Sequence, residues 1–216
     1  MSKTINSFAL SGEVKKFGHN RPTQNGQLAN WGRLWILAQL DPVKIPDDAG
    51  NLQQVQDNVL FLNFELSFGT GDFMERTTSI VMSSLKEGSF VFIPDLRIAE
   101  IQRSRKLPDG TWEQYKDIGA KASILDLSIA QSRFGILNNG TVYGKVEQQV
   151  SNKVVIEDVY VIPGRGRHTR RVPVVLPYGM THNMVGRMVY ATCQMCGKNL
   201  KNEEKVFAVA SQAVVI

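Results

Sequence analysis

Rings and cations set close together are the residues of this chain best suited to chemistry. Arg103, Arg105 and Lys106 precede the turn signal Leu107-Pro108-Asp109-Gly110, and Trp112 and Tyr115 follow it. Pro fixes one φ angle of such a turn and Gly supplies a positive one, so the run reads as a hairpin that sets the cations across from the rings. An aromatic face accepts a nucleobase of any identity for roughly 1 to 3 kcal/mol, while Lys and Arg take the phosphates. Trp31, Arg33, Trp35 and Phe61 extend the same set, with Trp35 sharing a strand face with Arg33. Lys15, Lys16, His19 and Arg21 mark the first strand-to-strand loop, and Tyr143 alternates outward with Lys145. In the run Pro163 to Arg171, Gly and Arg interleave between two apolar strands, so Arg165, Arg167, Arg170 and Arg171 read as a mobile hairpin tip able to follow a phosphate backbone. For each ring the competing reading is packing in the core or at an interface between copies.

Other chemistry finds little footing. Cys193 and Cys196 have the spacing of half a zinc site, but structural zinc takes four ligands, and completion would need His168 and His182 or another chain. As a strand end the segment needs no metal, its two thiols pointing to different faces. No metal or other cofactor is expected, Cys193 and Cys196 being the only candidates. The three histidines, His19, His168 and His182, fall in expected loops with no hydrolase spacing around them. Gly164-Arg165-Gly166-Arg167 lacks the helix that a phosphate-binding loop requires. The chain reads as a non-enzyme.

Length and composition set the frame that must position these residues. The chain has 216 residues, 43% of them hydrophobic, enough for one large domain or two of about 100 residues. It holds no apolar run long enough to span a bilayer and starts without an apolar signal region, so a cytoplasmic protein with no membrane partner is expected. The formal charge of +5 sits entirely beyond Gly140: Lys and Arg number fifteen against fifteen Asp and Glu before Thr141, and ten against five after it.

The elements are mostly strands. Ile5 to Phe17, Trp31 to Leu40 and Asn58 to Phe68 alternate, the last with Leu60, Leu62, Phe64, Leu66 and Phe68 on one face. Asp41 to Asp57 reads as a loop or insertion. A helix is expected over Met74 to Leu85, ended by Gly88, before the strand Ser89 to Ile93 and the basic ribbon Arg97 to Lys106, which returns through Trp112 towards Leu127. Five more strand-like runs follow, 140–148, 153–162, 171–176, 186–195 and 205–215, with turn signals at 151–152, 164–166, 177–179 and 197–199. The expected fold is mostly β: two tandem OB-fold barrels, each a five-stranded Greek key, spanning 1–137 and 138–216, the first with a helix between strands three and four. One continuous all-β sandwich is the alternative.

Ser11-Gly12-Glu13-Val14, Arg33-Leu34-Trp35-Ile36-Leu37-Ala38 and, most closely, Leu85-Lys86-Glu87-Gly88-Ser89-Phe90-Val91 resemble the single-stranded DNA-binding proteins of bacteria and phages. The resemblance covers the first 130 residues in pattern. Beyond them it holds only in strand count and basic hairpin. It implies a protein that coats single-stranded DNA in replication or recombination, with RNA as the alternative strand, and a homo-oligomer and replication or recombination proteins as further partners. Two departures stand out. The chain ends in the strand-like run 208–216 rather than an acidic tail, which puts tail-based recruitment in doubt, and the tandem barrel points to a phage, plasmid or otherwise divergent origin. A second class of function is an OB-barrel assembly or scaffold component, phage structural or replisomal, whose exposed rings meet protein.

Overall fold

A computed structural model describes residues 4–19, 32–39, 43–47, 49–55, 59–66, 80–81, 83–122, 127–130, 137–200 and 203–216. In chain order its strands are β1 (Ile5–His19), β2 (Gly32–Gln39), β3 (Val43–Pro46), β4 (Leu52–Val55), β5 (Val59–Leu66), β6 (Phe90–Lys106) and β7 (Trp112–Ala122). Then come β8 (Ser128–Ala130), β9 (Asn138–Val150), β10 (Lys153–Ile162), β11 (Gly166–Val175), β12 (Met188–Leu200) and β13 (Glu203–Val215).

The pairings close two barrels of the same design. In the first, β1 pairs antiparallel with β2 and β6, β2 with β5, β6 with β7, and β5 runs parallel to β7. In the second, β9 pairs antiparallel with β10 and β12, β10 with β11, β12 with β13, and β11 runs parallel to β13. Each is the five-stranded OB-fold barrel. Antiparallel pairing of β1 with β9 joins the two into one sheet of eleven strands.

The first strands of the two barrels repeat one pattern 132 residues apart: Asn6 and Asn138, Phe8 and Gly140, Leu10 and Val142, Gly12 and Gly144, Val14 and Val146. Each strand skips one residue of register just past its Val, at Lys15 and at Glu147. The repeat extends to hydrogen bonds. Val14 donates to Ser89 O at 2.8 Å and accepts from Gly88 N at 2.7 Å; Val146 donates to Arg187 O and accepts from Gly186 N, both at 2.9 Å. Gly88 and Gly186 hold φ of +84° and +87°, which a side chain would penalise.

Because β1 and β9 run antiparallel, a pseudo-two-fold axis relates them and passes through the facing pair Phe8 and Gly140. Only one of the two can carry bulk. A Cβ on Gly140 would clash with the Phe8 ring and lie 2.6 Å from Ser7 O. Phe8 fills the axis, 1% exposed, within a buried cluster that includes Leu10, Ile93, Ile98, Val142, Val146 and Met195 and so runs through both barrels. Each such side chain contributes about 1.5–3 kcal/mol by leaving water.

Buried amides complete the join. Asn6 Nδ2 donates to Ile98 O at 2.7 Å and its Oδ1 accepts from Ile98 N at 3.1 Å. Asn138 does the same for Met195, both bonds at 2.8 Å. Asn6 Nδ2 also reaches Asp158 Oδ2 of β10 at 3.1 Å, and Thr4 Oγ1 donates to Asp158 Oδ1 at 2.9 Å.

Several expectations need correction. The segment 41–57 carries a hairpin, β3 paired with β4, whose turn is held by Asp47 Oδ1 accepting from Ala49 N and Asn51 N at 3.0 and 2.8 Å. These bonds hold the Asp47 carboxyl below its ordinary range. The hairpin reaches the second barrel: Val43 is buried against Cys196 and Val209, and the Tyr178 ring covers Gly50. The run 197–199 is no turn, because the ladder continues through Gly197 facing Val206 to Leu200 facing Glu203, leaving residues 201 and 202 between the strands. His19 and His168 lie in strands, not loops. Of the expected helix over 74–85, Ile80, Val81, Ser83 and Ser84 are helical, while 74–79 and 82 lie outside the described residues.

Candidate nucleic-acid interface

The ribbon of β6 and β7 projects its rings on a turn that the sequence specifies. Leu107 N donates to Thr111 O at 2.8 Å, Gly110 takes φ of +87°, and Asp109 Oδ1 accepts from Thr111 N and Oγ1 at 2.9 and 2.6 Å. Those bonds hold the Asp109 carboxyl below its ordinary range. The register then sets Lys106 opposite Trp112, Arg105 opposite Glu113 and Arg103 opposite Tyr115.

Since side chains alternate along a strand, Trp112 and Tyr115 stand on opposite faces of the ribbon. Trp112, 68% exposed, shares its face with Lys106, Gln114 and Lys116, and Lys116 pairs with Glu100 at 3.2 Å. On the other face the Arg105 guanidinium lies 5.5 Å from the centre of the half-exposed Tyr115 ring, and its Nε donates to Glu113 Oε2 at 2.6 Å. The Glu113 bond, with its charge, raises the Arg105 pKa above the ordinary guanidinium value.

The cations of the second barrel divide in the same way. The expected mobile tip is only the turn 163–165, where Arg165 N donates to Ile162 O at 3.0 Å; Arg167, Arg170 and Arg171 lie on β11, because the ladder with β10 holds down to the pair Ile162 and Gly166. Arg165 and Arg167 are exposed. Arg170 turns inward, its side chain 18% exposed, with its guanidinium 3.6 Å from the centre of the Tyr160 ring and 3.6 Å from Asp158 Oδ2. The His168 ring lies 5.6 Å from that of Tyr160, its Nε2 buried without a hydrogen-bond partner. Arg170 thus serves the joint between the barrels, through the Asp158 that Thr4 and Asn6 hold. Arg171 lies outside, bound in two-pronged fashion by Glu147 at 2.9 and 3.1 Å, which raises its pKa.

Lys15 pairs with Glu13 at 2.6 Å, and Lys16 is exposed beside it. Trp35 stands opposite Asn63 in register, Phe61 opposite Leu37 and Arg33 opposite Glu65; the placement of their side chains, and of Arg103, lies outside the description, as do Arg21 and Trp31 altogether.

Tyr143 and Lys145 occupy a different surface. Lys145 is exposed. Ile5, Tyr143, Tyr190 and Val214 are register partners in sequence across β1, β9, β12 and β13, and form one row on the outer face of the sheet. Tyr190 is 40% and Val214 59% exposed, and the two tyrosine rings lie 6.4 Å apart. Tyr190 went unremarked in the sequence, although the alternation of the run 188–193 already set it opposite to the buried Val189 and Ala191.

Cys193 and Cys196 point to opposite faces of β12, Cys193 into the main core and Cys196 into the cluster under Val43. Burial pushes the Cys193 thiol up to about 12, so it keeps its proton at neutral pH. Among the described residues no three His, Cys, Asp or Glu side chains converge as metal ligands, and no helix is long and apolar enough to cross a membrane.

No family model and no curated protein matches the chain. Solved structures do. Wild-type single-stranded DNA-binding protein from Thermus aquaticus is similar over 100% of this chain and 94% of its own, with a TM-score of 0.61 and 13% identity. An internal-deletion mutant of the same protein is similar over 100% and 96%, with a TM-score of 0.60 and 13% identity. The chain therefore has the tandem OB-barrel fold of that single-stranded DNA-binding protein.

Proposed function

We propose that this protein is a non-catalytic, cytoplasmic single-stranded DNA-binding protein that coats the strand in replication or recombination with little sequence specificity. The observation that carries this reading is the exposed ribbon, with Trp112 beside Lys106 on one face and Tyr115 beneath Arg105 on the other, on a fold like that of a single-stranded DNA-binding protein over the full chain. Rings of that exposure stack on any base, and exposed Lys and Arg exchange the counterions of the phosphates. Residues 1–137 and 138–216 act as the two barrels, each offering a surface to one strand. The row of Ile5, Tyr143, Tyr190 and Val214 favours a second reading, in which this face seats another copy or an assembly partner.

The test is tryptophan fluorescence during titration with mixed-sequence single-stranded DNA of about 30 nucleotides, long enough for several OB-fold sites, with the matching duplex and RNA alongside at several salt concentrations. Quenching by the single strand, weakened steeply by salt, supports coating. A folded protein that responds to none of the three at low salt overturns it and favours the protein-binding reading.

A further inference from the structure

Several exposed cations in each barrel carry an anion of their own. Arg171 is gripped by Glu147, Arg105 by Glu113, Lys116 by Glu100 and Lys15 by Glu13. At Arg171 the carboxylate takes Nε and one terminal nitrogen, the paired donors that also suit two oxygens of a phosphate. At Arg105 the carboxylate takes Nε while the guanidinium lies against Tyr115.

We propose that Glu113 and Glu147 are built-in competitors for nucleic-acid phosphate, occupying Arg105 and Arg171 until a strand displaces them. This rests on the single-strand-binding reading above. Exposed ion pairs are weak, so displacement costs no more than about fivefold in affinity. Until then each carboxylate keeps its arginine oriented. A displaced carboxylate gathers a cation from solution, offsetting one of those released from the phosphates, so binding depends on salt less steeply than the number of cations implies.

The experiment compares wild-type protein with E113Q and E147Q, each alone and combined with R105Q or R171Q, in single-strand titrations over a salt series. Glu87→Gln is the control, since Glu87 is exposed and outside every ion pair among the described residues. Removal of either competitor is expected to tighten low-salt binding about threefold and to steepen the salt slope by up to about 0.7, with both gains vanishing when the partner arginine is also replaced. A gain that persists without the arginine, or that Glu87→Gln matches, overturns the proposal, because carboxylates would then act by repulsion alone. If folded wild-type protein binds no single strand, the function itself fails and the competitor role falls with it; if wild type binds and the paired substitutions are additive, only the competitor role falls.

Discussion

Asn6 in the first barrel and Asn138 in the second make the same two bonds to the fourth strand of their own barrels, yet only Asn6 also reaches across to Asp158. The same division runs through the whole molecule. The parts that repeat close a barrel: the strand pairings, the skipped residue after Val14 and Val146, and the glycines Gly88 and Gly186 that turn the chain into strand four. The parts that differ either lock the barrels together or project outward. The first barrel sends out a ribbon tipped by Trp112 and a strap, β3 and β4, that lies on the second. The second sends out the β10–β11 hairpin, one face of which is spent on the joint through Arg170 and Tyr160. Two copies of one frame have thus been given unlike surfaces, with the differences concentrated away from the residues that close the sheet.

The sharpest way to break this comparison is at its axis. Phe8→Ala should cost about 3–5 kcal/mol, and since the ring belongs to a core running through both barrels, thermal melting should stay a single transition at lower temperature. Two separate transitions would show that the barrels hold independent cores. Next come the equivalent amides. Asn6→Ala should destabilise by about 3 kcal/mol and Asn138→Ala by about 2, measured by urea unfolding, because only Asn6 also donates to the Asp158 carboxylate, which its loss leaves short of a donor; equal losses would mean that the bond to Asp158 adds nothing. Trp112→Ala should leave melting unchanged and weaken single-strand binding by about 1–3 kcal/mol, the worth of one stacked base. The smallest effect at high salt belongs to the second barrel's tip, where replacing Arg165 and Arg167 together by Ala should reduce the salt slope by about 1.4, so that the loss of affinity is greatest at low salt and fades as salt rises. A larger loss there than at Trp112 in high salt would reverse the ranking of the two surfaces.

Much of the frame was legible because strands announce themselves by alternation and turns by Gly, Pro and Asn. Ser89 to Ile93, the ribbon around Pro108-Asp109-Gly110 and the run 153–162 all follow that rule, and the barrel order follows from them. Gly197 misled because a glycine within a ladder looks, in sequence, like one that ends it. The strap was hidden for a related reason: Val43 and Ile45 are too few to show a period, and what makes them a strand is the cluster they cover on the other barrel. For the candidate surface, the cations and rings were visible as types, but their engagement was not. Whether Arg171 faces solvent alone or against Glu147 depends on a partner 24 residues away. Asn138-x-Gly-x-Val-x-Gly-x-Val does echo Asn6-x-Phe-x-Leu-x-Gly-x-Val in the bare sequence, and would have located the axis.

At that axis the molecule could not be taken apart into two self-pairing barrels without repair. Were the first barrel to pair with a copy of itself, Phe8 would meet Phe8 where there is room for one ring. Were the second to do so, two glycines would leave a hole in the middle of the sheet. The Phe and Gly fit only each other, so carrying both barrels on one chain has freed this position from the rule that a symmetric dimer imposes, that both sides be alike. It has also made the union indifferent to dilution, since the two halves are always present in equal number and never have to find one another.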